Sequence, residues 1–363
     1  MKSVVILSNH HAYTYNFRKE IIQRLIDENY KVFIVLPYGE KVELLKEIGC
    51  EFINLPLDRR GMNPLNDLKL LFNYYKIIKK IQPKAILSYT VKPNIYGGII
   101  SRLFNIPFFP NVTGLGSAVE NKGIIQQLLV KMNKLAFKNA NCVFFQNEEN
   151  KQFFKNKNIP LKSYKVIPGS GVNINHFSLL PYPDNKITTF LFISRIMKAK
   201  GIDQYLEAAE FIRGKYPNTK FHVLGFCEED YEDKLTKLQE NGIIEYHGMQ
   251  SDIRKFLEIS NCTIHPTYYP EGMSNVLLES AAAGRPIITT NRSGCREIVD
   301  NEINGYVVEQ ENSTDLINKI EKFLALSQDR KSQMGLYGRK KIEAEFDREI
   351  VVRAYMNEIN KVC

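Results

Sequence analysis

Four charged side chains in the second half of this 363-residue chain stand at spacings that suit a phosphorylated sugar. Glu271 and Glu279 bracket the run Glu271-Gly272-Met273-Ser274-Asn275-Val276-Leu277-Leu278-Glu279, which reads as a loop entering a helix. Ser274 suits the N-cap, so the amides of Asn275 and Val276 would lie unpaired at the positive end of that helix, where phosphate binds. Gly272 lets the backbone come close to a ligand. Each carboxylate can accept through both oxygens, as paired sugar hydroxyls require. Arg195 and Lys200 follow the apolar run Phe190–Ser194, and two fixed cations there can neutralise a departing diphosphate without a metal. Taken singly, a glutamate in a turn or a lysine on a loop is an ordinary solvated side chain; the weight rests on the whole constellation.

Rigid elements must hold these residues. In the second half, apolar runs at 190–194, 220–224, 243–247, 262–265, 286–290 and 305–308 alternate with helical patterns at about 202–213, 230–241, 251–259 and 275–283. The first half alternates likewise, with strands at 4–7, 31–36 and 85–88, helices at 16–28, 40–48 and 94–104, and a closing strand at 164–167. Short runs rich in Val, Ile and Phe between helical periods predict parallel sheets covered on both faces. The expected class is therefore α/β, with two Rossmann-like doubly wound domains facing a central cleft and ligands at the strand carboxyl ends. Gly169-Ser170-Gly171 and Pro181-Tyr182-Pro183 supply a linker, which places one domain at 1–178 and the other at 179–344. Residues 330–362 read as one long charged helical pattern, whose end, about 345–363, is free to return to the first domain.

Composition narrows the classes. Hydrophobic residues at 44% and charged residues at 25% are ordinary globular values. No run approaches the roughly 18 apolar residues of a membrane helix, and the apolar core of Met1–Ser8 is too short for a signal peptide. Six cysteines without CxxC pairs or nearby histidine ligands indicate neither zinc nor a disulfide framework, and a cytoplasmic location is consistent with them. The net charge of +9 is uneven. Residues 1–175 hold 25 Lys+Arg against 12 Asp+Glu, a net +13, and the remainder 24 against 28, a net −4. A basic half implies nucleic acid, an anionic membrane surface or a phosphorylated substrate, or only a lysine-rich background. Lysines also interleave with apolar residues at helical spacing over 122–138, a pattern that fits either a helix lying on an anionic bilayer or one packing its stripe inward.

These segments carry a resemblance. EGMSNVLLE at 271–279, SRIMKAKG at 194–201, SGCREIV at 293–299 and GYVV at 305–308 are similar, in order, to signatures of the retaining glycosyltransferases of family 4, which have the GT-B fold. In the first half Tyr15–Arg18, Tyr89–Gly97 and Asn111–Gly116 resemble a bacterial branch that builds capsule, O-antigen and lipid-linked oligosaccharides. The resemblance implies that Arg195 and Lys200 bind the donor diphosphate, Glu271 the sugar and Glu279 the ribose. Backbone around Gly272, Met273, Ser274, Asn275 and Val276 would meet the phosphates and sugar. It implies a UDP-sugar as co-substrate, no metal and no other cofactor. Two family features are missing: the first loop has Asn9-His10-His11 in place of a glycine pair, and Thr113-Gly114-Leu115-Gly116 stands where a donor-touching histidine is usual.

On the acceptor side the candidates are His10, His11, Arg18, Lys92, Asn94, Thr113 and Gly114, each placed near a strand's carboxyl end. No protein nucleophile stands in the matched segments, so the resemblance implies front-face substitution, in which the leaving diphosphate takes the acceptor's proton. The expected reaction moves a hexose or N-acetylhexosamine from a UDP-sugar to a polyprenyl-diphosphate-linked saccharide at the inner leaflet of the plasma membrane. A sugar-nucleotide epimerase of the same architecture and a non-catalytic sugar-nucleotide-binding subunit are the competing readings. A nucleic-acid binder would leave the donor constellation unexplained.

Overall fold

The computed structural model describes every residue except Met1, Arg59, Arg60, Met62, 115–122 and Asn185. The chain divides into two compact units. One comprises Met1–Gly171 with Arg348–Cys363, the other Val172–Asp347.

The first unit is built on seven strands, β1 (Ser3–Leu7), β2 (Lys31–Leu36), β3 (Glu51–Asn54), β4 (Ala85–Tyr89), β5 (Phe108–Val112), β6 (Val143–Phe145) and β7 (Tyr164–Val166). Their order is β3-β2-β1-β4-β5-β6-β7, and every pair is parallel. Successive side chains of β1 take opposite faces: Val4 and Ile6 enter one core cluster, and Val5 and Leu7 another. That is why the run is apolar without alternation; both faces are covered. The first cluster is completed by the C-terminal helix Arg348–Ile359, through Val351, Val352, Tyr355, Met356 and Ile359.

The second unit repeats the plan with six parallel strands, β8 (Thr188–Ile193), β9 (Thr219–Leu224), β10 (Glu245–Tyr246), β11 (Cys262–His265), β12 (Ile287–Thr290) and β13 (Gly305–Val308), ordered β10-β9-β8-β11-β12-β13. In each sheet the order reverses direction beside the first strand, between β1 and β4 and between β8 and β11. Crevices at such switch points are where open α/β sheets bind ligands. A further cluster lies beneath the helix Asn275–Ala282 and includes Leu277, Leu278, Ala281, Ala282, Ile298 and Val172, with Ile174 and Phe177 packed against it.

Three boundaries differ from the sequence expectation. The units part at Gly171/Val172 rather than near 178, because Val172 is buried in the second unit's core and Ile174 and Phe177 pack against it. The long helical pattern at 330–362 is two helices, Gln328–Lys341 and Arg348–Ile359, separated by a wide turn at Ile342–Phe346 and an extended Asp347 (ψ 133°). The helix expected at 16–28 begins five residues earlier, at His11, because Nδ1 of His10 caps it by accepting from the Ala12 amide at 3.1 Å.

Candidate functional site

β8 ends at Ile193, and the chain passes Arg195 into a tight turn, Lys198–Lys200, closed by Gly201 at φ +76°. Only glycine serves here, since a Cβ would stand 2.1 Å from the Pro266 carbonyl oxygen. This loop is therefore pressed against the segment leaving β11. The Ala199 carbonyl accepts from the Tyr268 amide at 3.0 Å and from the Thr267 hydroxyl at 3.3 Å. A third loop locks the second: the Ser274 amide donates to Gly294 C=O at 2.8 Å, and Gly294, at φ +88°, leaves no room for a Cβ against Gly272 C=O. Glu297 fixes that loop by accepting from the Gly294 amide at 2.7 Å and the Ser293 hydroxyl at 3.1 Å. The SGCREIV segment thus works as a brace for the Glu271–Ser274 backbone.

The braced loops bring Lys200 and Glu271 together. Lys200 Nζ donates to Glu271 Oε1, and its ammonium lies 4.7 Å from the centre of the Tyr269 ring. Lys200 is only 6% exposed. Burial pushes the Glu271 carboxyl up, but Lys200, His265 and Arg195 outweigh it and hold the group below its ordinary value, so it is ionised. Arg195 donates to Glu228 Oε2 at 2.7 Å and stacks over the same Tyr269 ring at 5.2 Å. Both cations therefore lie against one aromatic ring. His265, the last residue of β11, is fully enclosed beside this pair; burial and Lys200 lower its pKa to about 4, so it is neutral.

The helix expected from 275 is present as Asn275–Ala282, with one change at its start. Ser274 has N-cap geometry, yet its hydroxyl makes no capping bond; the helix begins its own ladder with the Leu278 amide on Ser274 C=O at 3.2 Å. Its first amides are thus left to other acceptors. Gly272, Met273 and Ser274 are buried, Asn275, Val276 and Glu279 half-buried. The Met273 side chain packs into the core, so only its backbone can serve a ligand.

In the first unit the candidates separate into structural and available groups. Asn94 is buried and committed: its side chain accepts from Ser88 Oγ at 2.7 Å and donates to Asn111 C=O at 2.8 Å, tying β4 to β5. It is removed from the acceptor contacts. His10 caps its helix, and His11 accepts from the Lys41 amide at 3.3 Å with burial lowering its pKa. Both rings hold loops. Arg18 is buried, its guanidinium 4.3 Å from the Tyr89 ring centre. Lys92 pairs with Asp67 at 2.7 Å on the wall of a cavity of about 370 Å³ shared with Asp58, Lys69 and Asn73. Thr113 and Gly114 (φ +146°) follow β5, half-buried; Leu115 and Gly116 of that motif lie outside the described residues, as does Lys122.

Sequence reasoning missed Glu228, His265, Tyr269 and Glu297. Glu228 had a usable signal, a carboxylate just past β9, the neighbour of β8. The segment read as a surface helix runs Ile124–Phe137; Leu129, Val130 and Met132 pack inward, while Ile124, Ile125, Leu128 and Leu135 remain exposed. Both alternatives for this helix survive, one on each face. Among the described residues no helix is long and apolar enough to cross a membrane, and all six cysteines are free.

Comparison with known proteins places both halves of the chain among glycosyltransferases. Residues 176–341 match the family described as glycosyl transferases group 1, and residues 4–147 the family described as glycosyl transferase 4-like. The N,N'-diacetylbacillosaminyl-diphospho-undecaprenol alpha-1,3-N-acetylgalactosaminyltransferase of Campylobacter jejuni is 28% identical over 98% of both chains. The UDP-Gal:alpha-D-GlcNAc-diphosphoundecaprenol alpha-1,3-galactosyltransferase of Escherichia coli is 24% identical, covering 72% of this chain and 71% of its own. Among solved structures, Anabaena HepE in complex with UDP superposes with a TM-score of 0.81 over 99% of this chain and 100% of its own, at 16% identity. At that identity the likeness shows the fold, which is GT-B.

Proposed function

We propose that this chain, which belongs to the group 1 and 4-like glycosyltransferases, moves a hexose or N-acetylhexosamine from a UDP-sugar to a saccharide carried on a polyprenyl diphosphate, with retention at the anomeric carbon. The observation that carries the reading is the buried Lys200–Glu271 pair at the β8/β11 switch point, with Arg195 beside it on the Tyr269 ring.

Without a ligand each cation already has a carboxylate partner, Glu271 for Lys200 and Glu228 for Arg195. A nucleoside diphosphate brings negative charge toward both. Lys200 can then turn to the phosphates and free Glu271 to accept from sugar hydroxyls, while Glu228 keeps Arg195 in place. The amides at the start of Asn275–Ala282 meet the same phosphates, and Glu279, half-buried on that helix, takes the ribose. Charge on the leaving diphosphate is met by fixed protein cations, so transfer needs no metal. Retention follows if the departing oxygen accepts the acceptor's proton on the face it leaves.

The acceptor class is supported by the two relatives, both named for diphospho-undecaprenol substrates and alpha-1,3 products. On this chain Lys92 and the cavity it lines, with Arg18 and Thr113, are the positions offered to that acceptor. The basic first half and the exposed Ile124, Ile125, Leu128 and Leu135 would rest on an anionic inner-leaflet surface; failure to sediment with anionic vesicles would remove this part.

The reading is tested by incubating the protein with UDP-sugars and a polyprenyl-diphosphate-linked saccharide in EDTA. Extension of the lipid-linked glycan by one sugar is expected. Conversion of the nucleotide sugar to its epimer without acceptor would favour the epimerase instead.

A further inference from the structure

The second unit holds a set of ligating side chains away from the donor loops. His222 lies on β9, Glu245 on the edge strand β10 and His247 just past it. The two strands run parallel with His222 opposite Glu245. Side chains alternate faces along a strand, so Glu245 and His247, two residues apart, rise on the same side as His222. His222 Nδ1 lies 2.7 Å from His247 Nε2 and 3.6 Å from Glu245 Oε2. One ligating atom from each residue falls within 4.8 Å of the other two.

The chemistry of the three groups is that of a metal site in waiting. Burial lowers the pKa of both histidines, keeping the rings neutral, the form that ligates. Burial raises the Glu245 carboxyl, but Lys220 and the two imidazoles outweigh it and keep it ionised. Lys220 engages Oε1 at 2.9 Å, which orients the carboxylate and leaves Oε2 toward the rings. Phe256 covers His247 with ring centres 4.8 Å apart and shields one side from water. Two neutral imidazoles and a carboxylate are a donor set for a borderline divalent cation. Bonds of about 2.0–2.1 Å at tetrahedral angles put donor atoms roughly 3.3 Å apart, between the two separations found here.

We propose that His222, Glu245 and His247 bind a zinc-class divalent cation, with water as fourth ligand, and that the ion staples the edge strand β10 to β9. The need for a staple is visible in the sheet. β10 has only two residues, and the chain beyond it is held to the sheet by the His247 amide on Val223 C=O at 3.0 Å and by Gly248 C=O, which accepts from the Gly225 amide at 2.9 Å. Two strands, β9 and β8, separate β10 from β11 and its Glu271 loop, so the ion takes no part in sugar transfer.

The test uses full-length protein stripped by EDTA and titrated with zinc and with cobalt(II). One zinc per chain is expected with a micromolar or tighter Kd by calorimetry. Cobalt should develop the visible absorption of a four-coordinate centre. Zinc a hundredfold above Kd should raise the melting temperature by about 5 °C. His247→Ala and Glu245→Gln should each weaken binding at least tenfold and abolish the thermal shift. Cys227→Ser should leave both unchanged, although this thiol lies 3.8 Å from Tyr246 OH. Absence of zinc binding at 100-fold molar excess, about a millimolar, would overturn the proposal, as would wild-type affinity in His247→Ala and Glu245→Gln. Neither readout depends on glycosyl transfer, so a chain inactive toward every sugar donor could still carry this site.

Discussion

Lys200 and Glu271 hold each other in a poorly hydrated place, and removing one strands the other's charge. Breaking such a pair typically costs about 3–5 kcal/mol. Alanine at either position would therefore confound loss of chemistry with loss of fold. We expect Lys200→Met and Glu271→Gln each to lower the melting temperature and to cut turnover at least a hundredfold. The double variant should regain most of the stability and none of the activity, as melting curves and initial rates on the three proteins will show. His265 gives a pH signature. Its folded pKa of about 4 lies below the ordinary histidine value of 6.5, so between those values the unfolded chain takes up a proton that the folded chain refuses. Stability from this residue is complete above pH 6.5 and falls as pH falls toward 4, by roughly 3 kcal/mol in all. Glu271, held below 4.5, extends the loss at lower pH. Urea unfolding at pH 7 and pH 5 should show a smaller drop for His265→Leu than for the wild type; equal drops would acquit His265. At this scale the sequence exposed the charged residues through their motifs but not their partners. Lys200 and Glu271 are 71 positions apart, and His265 hid at the end of an apolar run that read only as a strand.

The elements that carry these residues are three loops at the carboxyl ends of β8, β11 and β12, and their mutual fit is set by backbone contacts. Gly201→Ala would have to push the Pro266 carbonyl away while adopting φ +76°. It should leave both sheets folded, lower the melting temperature, and weaken UDP binding at least tenfold by calorimetry. Unchanged affinity would mean that the loop contact does not position the site. The strands around this site were readable because fully buried parallel strands are continuous apolar runs between turn residues. Helix ends were less so: the start at His11 depends on a histidine cap, and the division of 330–362 depends on Asp347 leaving helical geometry, for which no glycine or proline gives notice.

At the scale of the whole chain, the first unit is closed by its own C-terminus. Tyr355 is fully buried, stacks on Phe144 at 4.0 Å and accepts from Asn111 Nδ2 at 2.6 Å. Arg348 anchors the helix start on Glu20 and on the Gly171 and Asn16 carbonyls. Tyr355→Ala should therefore cost about 3–5 kcal/mol, read as a lowered unfolding midpoint, although the residue lies far along the sequence from every strand it supports. Two parallel sheets followed from the alternation of patterns in each half, and the four ordered motifs pointed to the family. The acceptor side was less legible, because polar residues such as Asn94 look alike in sequence whether they brace two strands or face a substrate. The proposed transfer of a sugar from UDP to a lipid-linked saccharide, with retention and through the Lys200–Glu271 site, leaves its record in the product's anomeric centre. The most direct measurement is the anomeric configuration of the lipid-linked product by NMR, formed from an α-linked UDP-sugar in EDTA by the wild type and by Glu271→Gln. An α-linked product is expected from the wild type and almost none from the variant. A β-linked product, or equal yield from both proteins, would contradict it.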